Sequence, residues 1–229
     1  MYAYRTKHGE KSIGARGGDG PVTTDGRTAR AERTRRAVIE AHVDLIRRGE
    51  LKPTGAQIAA KAGVSLRSLW GHFGDLETLF EATGTELMRR LDDAYEPVDP
   101  ALPLDERIDA YCRQRAELLE YIAPFARASS LRAPFSPALQ RIRLRHIERA
   151  KEDTMDLFAD CFEGVDPAVR RQAENAIGVA TAWPMWMSLR DVLRLSVPES
   201  VEVVKRAVAA LLSEVSSTAP TRPEPAMAS

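Results

Sequence analysis

The chain has 229 residues, 44% of them hydrophobic and 29% charged, and its 33 Lys and Arg balance its 33 Asp and Glu. This length allows one large or two modest domains, and the composition is that of an ordinary soluble globular protein. The charge is uneven, because residues 1–74 carry 14 basic against 7 acidic residues and the remainder carries 19 against 26. A basic N-terminal third beside an acidic remainder favours a DNA-binding head joined to a domain that avoids DNA.

Several classes of protein are excluded by what the sequence lacks. Cys112 and Cys161 lie far apart in apolar helical patterns, as expected for buried thiols in a reducing compartment. No apolar run approaches the ~18 residues of a membrane span, and the N-terminus lacks the apolar core of a signal peptide. The four histidines have no metal-ligand spacing, and no nucleophile elbow, phosphate loop or dinucleotide fingerprint is present. We therefore expect a cytoplasmic protein that is not an enzyme, without catalytic residues, cofactor or metal.

The N-terminal part predicts a basic arm followed by a first helix. Residues 1–27 are rich in Gly, Arg and Lys with little to bury, so we expect a disordered arm. It is either a plain terminal tail or an arm that reaches the minor groove of DNA. A helix is predicted from around Thr28 or Thr34 to Arg48. Arginines such as Arg35 near its start oppose the helix dipole, which is reasonable beside DNA phosphate, although solvated arginines are also common.

A helix-turn-helix is predicted between residues 54 and 80. Thr54 and Gln57 have the spacing of a capping box, in which each residue satisfies a backbone N–H of the other. Gly63 ends this first short helix, because glycine adopts the left-handed conformation without strain. Ser65 caps a second short helix, which the pattern presents to a groove of DNA.

The same stretch resembles the DNA-binding domain of the TetR/AcrR family of bacterial one-component regulators, over roughly residues 34–91. The residues that carry the resemblance are Ala62-Gly63-Val64-Ser65, Leu69-Trp70, His72-Phe73 and Asp75-Leu76-Glu77-Thr78-Leu79. The family commonly has tyrosine at the position of Trp70 and a phosphate-contacting lysine at that of Leu76. The resemblance implies an all-α fold, in which a three-helix DNA-binding domain with a helix-turn-helix precedes a helical ligand-binding and dimerisation domain.

The second short helix is then the recognition helix. Its exposed side chains are expected to face base edges, with Arg67 contacting either guanine or phosphate, and Leu66 touching a thymine methyl group. Thr54 and Gln57 begin the preceding helix, where free N–H groups attract phosphate. The aromatic plane of Trp70 can lie along the sugar-phosphate backbone. The predicted DNA-binding residues are Arg35, Thr54, Gln57, Ser65, Leu66, Arg67, Ser68, Trp70 and His72.

The rest of the chain predicts a connector and a helical domain. Asp75 caps a fourth helix that runs over 75–94 and joins the DNA-binding domain, 28–80, to a second domain over 95–216. Three prolines in residues 97–103 mark the boundary. From Leu104 onward only helices are expected, with one helix interrupted near Pro124. Another begins at Asp166-Pro167 and reaches Leu195, bent by a proline in its interior. Residues 217–229 are expected to be a disordered tail.

The segment Trp183–Met187 is the most unusual one outside the head. Its two tryptophans and two methionines surround Pro184, and methionine adapts readily to different ligands. We expect it to line a pocket for a small lipophilic effector, although core packing explains any single residue equally well. The predicted ligand-binding residues are Tyr111, Tyr121, Phe125, Phe158, Phe162, Trp183, Met185, Trp186 and Met187.

The resemblance also implies a homodimer, in which the last two long helices form a four-helix bundle with their copies. The predicted interface is the stripe Val201, Val204, Val208, Leu211 and Leu212. A two-fold dimer presents its recognition helices ~34–36 Å apart and matches a palindromic operator in double-stranded DNA. The sequence thus predicts a repressor that an effector releases from DNA. The alternative is a DNA-binding activator or architectural module with a filled core and no small-molecule inducer.

Overall fold

The computed structural model describes residues 23–218, which form nine α-helices and contain no β-strand. The all-α prediction is therefore confirmed. The helices are α1 (Thr23–Arg47), α2 (Gly55–Ala62), α3 (Leu66–Phe73), α4 (Leu76–Asp93), α5 (Leu104–Ser130), α6 (Pro137–Leu157), α7 (Pro167–Ala180), α8 (Trp183–Met187) and α9 (Val197–Thr218). A π-helical turn, Ser188–Val192, follows α8. No helix in this part of the chain combines the length and apolar character needed to cross a membrane.

The N-terminal head packs α1 to α4 around one apolar core. Its fully buried side chains include Val38, Ile58, Leu69, Leu79 and Phe80, one or more from each helix. Because α2 and α3 have only eight residues each, they are too short to be stable alone, and this shared core holds them in place.

The long helix α4 connects the head to the body. The imidazole Nδ1 of His42 on α1 lies 2.8 Å from Thr83 Oγ1 on α4, and both side chains are buried. On the other side, Ser136 at the start of α6 donates its hydroxyl to Glu77 at 2.6 Å. Contacts to both domains therefore fix the position of α4.

The body packs α5, α6, α7 and α9 around a second core. This core includes Tyr111, Leu119, Phe158, Ile177 and Val208, all nearly or fully inaccessible. Arg107 on α5 is buried beside it and donates to Asp160 at 2.7 and 2.8 Å and to the Leu157 carbonyl at 2.9 Å. These bonds attach α5 to the end of α6.

Three predicted helix boundaries are wrong. Helix α1 begins at Thr23, so residues 23–27 of the predicted arm are helical, while residues 1–22 lie outside the described residues. Helix α5 continues through Pro124, because Ile122, Ala123, Phe125 and Ala126 are buried around it and their burial outweighs one missing hydrogen bond. Helix α9 reaches Thr218, and only residues 219–229 of the predicted tail lie outside the described residues.

Pro184 lies at the start of a helix and not, as was predicted, in the interior of one. It does not bend a continuous helix from Asp166 to Leu195, because α7 ends at Ala180 and a new helix begins at Trp183. Pro184 stands in the first turn of this helix, where a backbone N–H has no intrahelical acceptor and proline is well tolerated.

The predicted dimer stripe on α9 is not available to a second protomer. Val201, Val204, Val208 and Leu212 are at most 8% exposed, because they pack into the core of their own chain. Leu211 is partly buried against the same core. The interface prediction is wrong for the four buried residues, since an amphipathic helix looks alike in sequence whichever surface its apolar face meets.

Candidate DNA interface and ligand cavity

The helix-turn-helix forms as its capping signals predict. The Gln57 backbone N–H donates to Thr54 Oγ1 at 3.3 Å, and the Thr54 N–H donates to Gln57 Oε1 at 2.8 Å, which completes the capping box. Gly63 ends α2 in the left-handed conformation, at φ 68°. Ser65 then accepts from the Ser68 N–H at 3.1 Å and starts α3.

The recognition helix presents a small exposed surface. Leu66 is 46% exposed and Arg67 lies beside it, both in the first turn of α3. Ser68 and His72 are half-buried, while Leu69 and Phe73 on the opposite face enter the head core. The exposed turn therefore offers one guanidinium and one apolar side chain to a partner.

Two predicted DNA-binding residues have close intramolecular contacts that the sequence did not reveal. The Trp70 ring packs against the first turn of α2, where a Cβ at Gly55 would overlap Cζ2 of the ring. The Arg35 guanidinium lies 4.9 Å from the centre of the Phe73 ring, a cation–π contact between α1 and α3. Both side chains help to fix the orientation of α3.

At the start of α2, Thr54 and Gln57 differ in the hydrogen-bond donors that remain free to bind a phosphate. The Thr54 hydroxyl donates to Gln57 Oε1 at 2.8 Å and accepts the Gln57 N–H, so the capping box already uses its only donor. The amide nitrogen of Gln57 remains at an exposed position and carries two donors. Of these two residues, Gln57 is the better candidate for a phosphate contact.

The predicted ligand-binding residues do not surround one space. Tyr111 lies 2.8 Å from Thr154 Oγ1 through its hydroxyl and packs edge-on against Phe158 in the core. Trp186 is buried and donates its indole N–H to Glu120 at 2.8 Å. Tyr121 is 38% exposed and lies beneath Arg47 of the head. For the remainder of the predicted set, none of Phe162, Met185 and Met187 lines the cavity described next.

A cavity of about 90 Å³ lies between α5, α6 and the start of α8. Of the nine predicted ligand-binding residues, only Phe125 and Trp183 line it. Its other apolar walls include Leu118, Leu119, Ile122, Leu139, Ile142 and Ile147, and its polar side chains are Arg115, Ser129, Arg143 and His146. Burial, with repulsion from Arg115 and Arg145, lowers the pKa of His146 to about 4, so the imidazole is neutral at pH 7.

None of the polar residues of this cavity belongs to the predicted ligand-binding set. Arg115 occupies an inward position of the apolar pattern of α5, between Cys112 and Leu119, and an arginine at such a position was the available signal. Arg143 and His146 are one turn apart on α6 and face the same space.

The cavity adjoins the connector helix. A Cβ at Gly84 on α4 would lie 3.1 Å from Ile142 Cδ1 and 3.2 Å from Phe125 Cζ, and both of those side chains line the cavity. The Phe125 ring in turn lies 5.8 Å from that of Phe80 in the head core. Two side chains of the cavity wall therefore lie directly beside α4.

No other chemistry is suggested by the described side chains. Residues 23–218 contain no group of three or more His, Cys, Asp or Glu arranged to hold a metal ion. Burial raises the pKa of the Cys112 thiol to about 12, so it is not a reactive thiolate.

The fold is similar to solved structures of bacterial regulators. A protein described as a TetR-family transcriptional regulator from Mesorhizobium loti MAFF303099 gives a TM-score of 0.54 at 18% identity, over 81% of this chain and 98% of that chain. The multidrug binding protein EbrR, complexed with imidazole, gives 0.50 at 20% identity, over 78% of this chain and 94% of that one. No protein-family sequence profile and no curated protein sequence matches the chain. The chain therefore has the fold of TetR-family regulators, as the resemblance of residues 34–91 implies.

Proposed function

We propose that the protein is a DNA-binding transcription regulator, most simply a repressor, whose affinity for its operator is controlled by a small molecule in the α5–α6 cavity. The observation that carries the proposal is the contact of α4 with both functional regions. Through Gly84, α4 touches two walls of the cavity, and through Leu79 and Phe80 it belongs to the core that supports α3. The similarity to EbrR, which binds several drugs and was solved with imidazole, supports a ligand-responsive regulator.

The recognition helix supplies the sequence-specific part of binding. Arg67 is the only Arg or Lys between Val64 and Phe80, and its place in the first turn of α3 suits a bidentate contact to guanine in the major groove. Leu66 is suited to a thymine methyl group, and His72 to a contact farther along the helix. Ser65 and Ser68 are suited to the DNA backbone.

General affinity has to come from charges outside α3. Arg27, Arg30, Arg33 and Arg36 are exposed on α1, and the Gln57 amide stands at the N-terminus of α2. Contacts from such groups to phosphate release counterions and position the head on the duplex without reading its sequence. Trp70 then contributes chiefly by holding α3 against α2.

The ligand acts by shifting the position of α4. An occupant of the cavity presses on Phe125 and Ile142, which lie so close to Gly84 that an added Cβ there would crowd both. The head core moves with α4, which alters the orientation of α3 relative to its copy. The ligand weakens DNA binding only to the extent that it prefers the displaced arrangement.

A homodimer is part of the proposal, because two recognition helices ~34–36 Å apart read a palindromic operator. The contact must use surface that is accessible in the protomer. Val179 on α7 is 58% exposed, and Val192 and Leu193 beyond α8 are 70% and 62% exposed. These side chains replace the buried α9 stripe as the apolar surface for a second copy.

The competing function is a DNA-binding activator or architectural module without an inducer. The volume of the cavity favours it, because about 90 Å³ is smaller than the ~300–1,000 Å³ of typical ligand sites. Under this alternative the cavity is a packing defect, and DNA affinity is independent of small molecules.

Selection of DNA sites from a random duplex library tests the proposal. We expect the full-length protein to enrich a palindrome, and Arg67→Ala to weaken binding to it by ~1–3 kcal/mol with relaxed preference at one base pair of each half-site. Arg113→Ala is the matched control, because Arg113 is an exposed arginine on α5, far from the head in sequence. Equal weakening by Arg67→Ala on every DNA sequence would assign Arg67 to phosphate instead.

A further inference from the structure

Among the described residues, Arg115 is a buried cation without a carboxylate partner. The residue is 5% exposed and makes one hydrogen bond, from Nη2 to the Thr181 carbonyl at 3.0 Å. Its buried Nε has no acceptor among the described residues. The carboxylate of Asp153, which acts on Arg115 only at a distance, is instead bonded to Arg149 at 3.1 Å. A guanidinium removed from water without a counter-ion is costly, so its place in a cavity wall points to an anion supplied from outside.

Two further polar side chains, Arg143 and His146, also suit the cavity to an anion. Arg143 is half-buried, and its one hydrogen bond is from Nη2 to Ser130 Oγ at 2.7 Å. Burial lowers the pKa of this guanidinium, because a charged group in an apolar wall lacks the solvation of water. His146 lies one turn farther along α6 and, being neutral, can donate or accept a hydrogen bond. No Asp or Glu is among the residues that line the cavity in the described chain.

A purely structural role explains only part of this arrangement. Thr181 follows the end of α7, and a cation at a helix C-terminus is favourable, so Arg115 does link α5 to the break before α8. That role occupies one nitrogen of the guanidinium. It does not explain why the Nε of Arg115 has no acceptor. Nor does it explain why Arg143, a second arginine at the same cavity, has no carboxylate partner among the described residues.

We propose that the cavity binds a small monocarboxylate with an apolar body, whose carboxylate accepts hydrogen bonds from Arg115 and Arg143. The planar fork of an arginine matches the two oxygens of a carboxylate, and such charge-assisted bonds are the strong ones. The hydrocarbon part lies against Leu119, Ile122 and Phe125. The identification of this molecule as the effector rests on the proposed function, whereas the binding site does not.

The volume limits the size of the apolar body. Benzene, with six non-hydrogen atoms, occupies a cavity of ~150 Å³, so about 90 Å³ suits a carboxylate with fewer non-hydrogen atoms. Propionate, which is smaller than benzene, is therefore a suitable probe, and propionamide matches it in shape without the negative charge.

Isothermal titration of the full-length protein with these two probes tests the site. We expect propionate to bind at least about tenfold more tightly than propionamide. Arg115→Met and Arg143→Gln should each reduce this ratio severalfold, and Arg143→Gln provides the test if Arg115→Met fails to fold. Arg113→Gln, which removes an exposed arginine from the same helix, should leave the ratio unchanged.

The contrary outcomes are distinct. Equal affinities for the two probes, no binding of propionate, or a ratio that survives in a folded Arg143→Gln variant would each overturn the proposal. So would an equal loss in Arg113→Gln, because the preference would then reflect overall charge. Operator binding, measured separately on the same samples, distinguishes a failure of this inference from a failure of the proposed function. DNA binding without carboxylate preference overturns this inference alone, and carboxylate preference without DNA binding overturns the proposed function alone.

Discussion

Replacing Gly55 by alanine tests how Trp70 attaches the recognition helix to α2. An added Cβ would overlap Cζ2 of the indole and lie 3.1 Å from both Cε2 and Cη2. Because the ring is rigid, it has to shift as a whole. Overpacking of this kind costs about 1–3 kcal/mol, against the ~0.5–1 kcal/mol that alanine gains over glycine inside a helix. We expect Gly55→Ala to lower the free energy of unfolding by about 1–2 kcal/mol.

Urea unfolding followed by circular dichroism measures this effect. Gly71→Ala is the matched control, because an added Cβ at Gly71 meets no atom within 4 Å and should gain up to about 1 kcal/mol in α3. Trp70→Phe removes the overlapping atoms, so Gly55→Ala should cost much less in that background. If Gly55→Ala and Gly71→Ala stabilise the protein equally, the Trp70 ring does not rest on α2 and our account of α3 is wrong.

Two further predictions concern the cores. Burial holds the pKa of His42 at about 4, below its ordinary 6.5. As the pH falls, His42 is protonated in the unfolded chain before it is protonated in the folded protein. Its contribution to the free energy of unfolding is therefore complete above pH ~6.5 and decreases toward pH ~4 by up to about 1.4 kcal/mol per pH unit. The pKa of His146 is also lowered to about 4, so this residue adds a decrease of the same sign. His42→Leu should flatten the slope of unfolding free energy against pH, and an unchanged slope would contradict this. Leu212→Ala should cost ~2–5 kcal/mol of unfolding free energy without changing the oligomeric state, whereas dissociation at unchanged stability would restore the original interface prediction.

The head could be predicted from sequence because its signals are local. The capping box at Thr54, the left-handed Gly63 and the cap at Ser65 each act within a few residues, and all three form as predicted. The contact of Trp70 with Gly55 could not be predicted, because it joins residues on two helices whose packing the local pattern does not specify.

The body was predicted less well because its features depend on tertiary packing. Aromatic residues such as Tyr111 and Trp186 show the same helical spacing in a core as in a pocket, and here they are core residues. The cavity depends instead on where α5 and α6 diverge. The clearest sign of the cavity in the sequence is Arg115, a charged residue that interrupts the apolar stripe of α5.

A footprint of the protein on its selected operator tests whether α4 couples the cavity to DNA binding. We expect two protected half-sites about 10–10.5 base pairs apart from centre to centre, or a multiple of that spacing. Saturating propionate should abolish the protection in the wild-type protein but not in Arg143→Gln. A footprint that forms on any sequence, or one that remains unchanged while propionate occupies the cavity, would contradict the proposed mechanism.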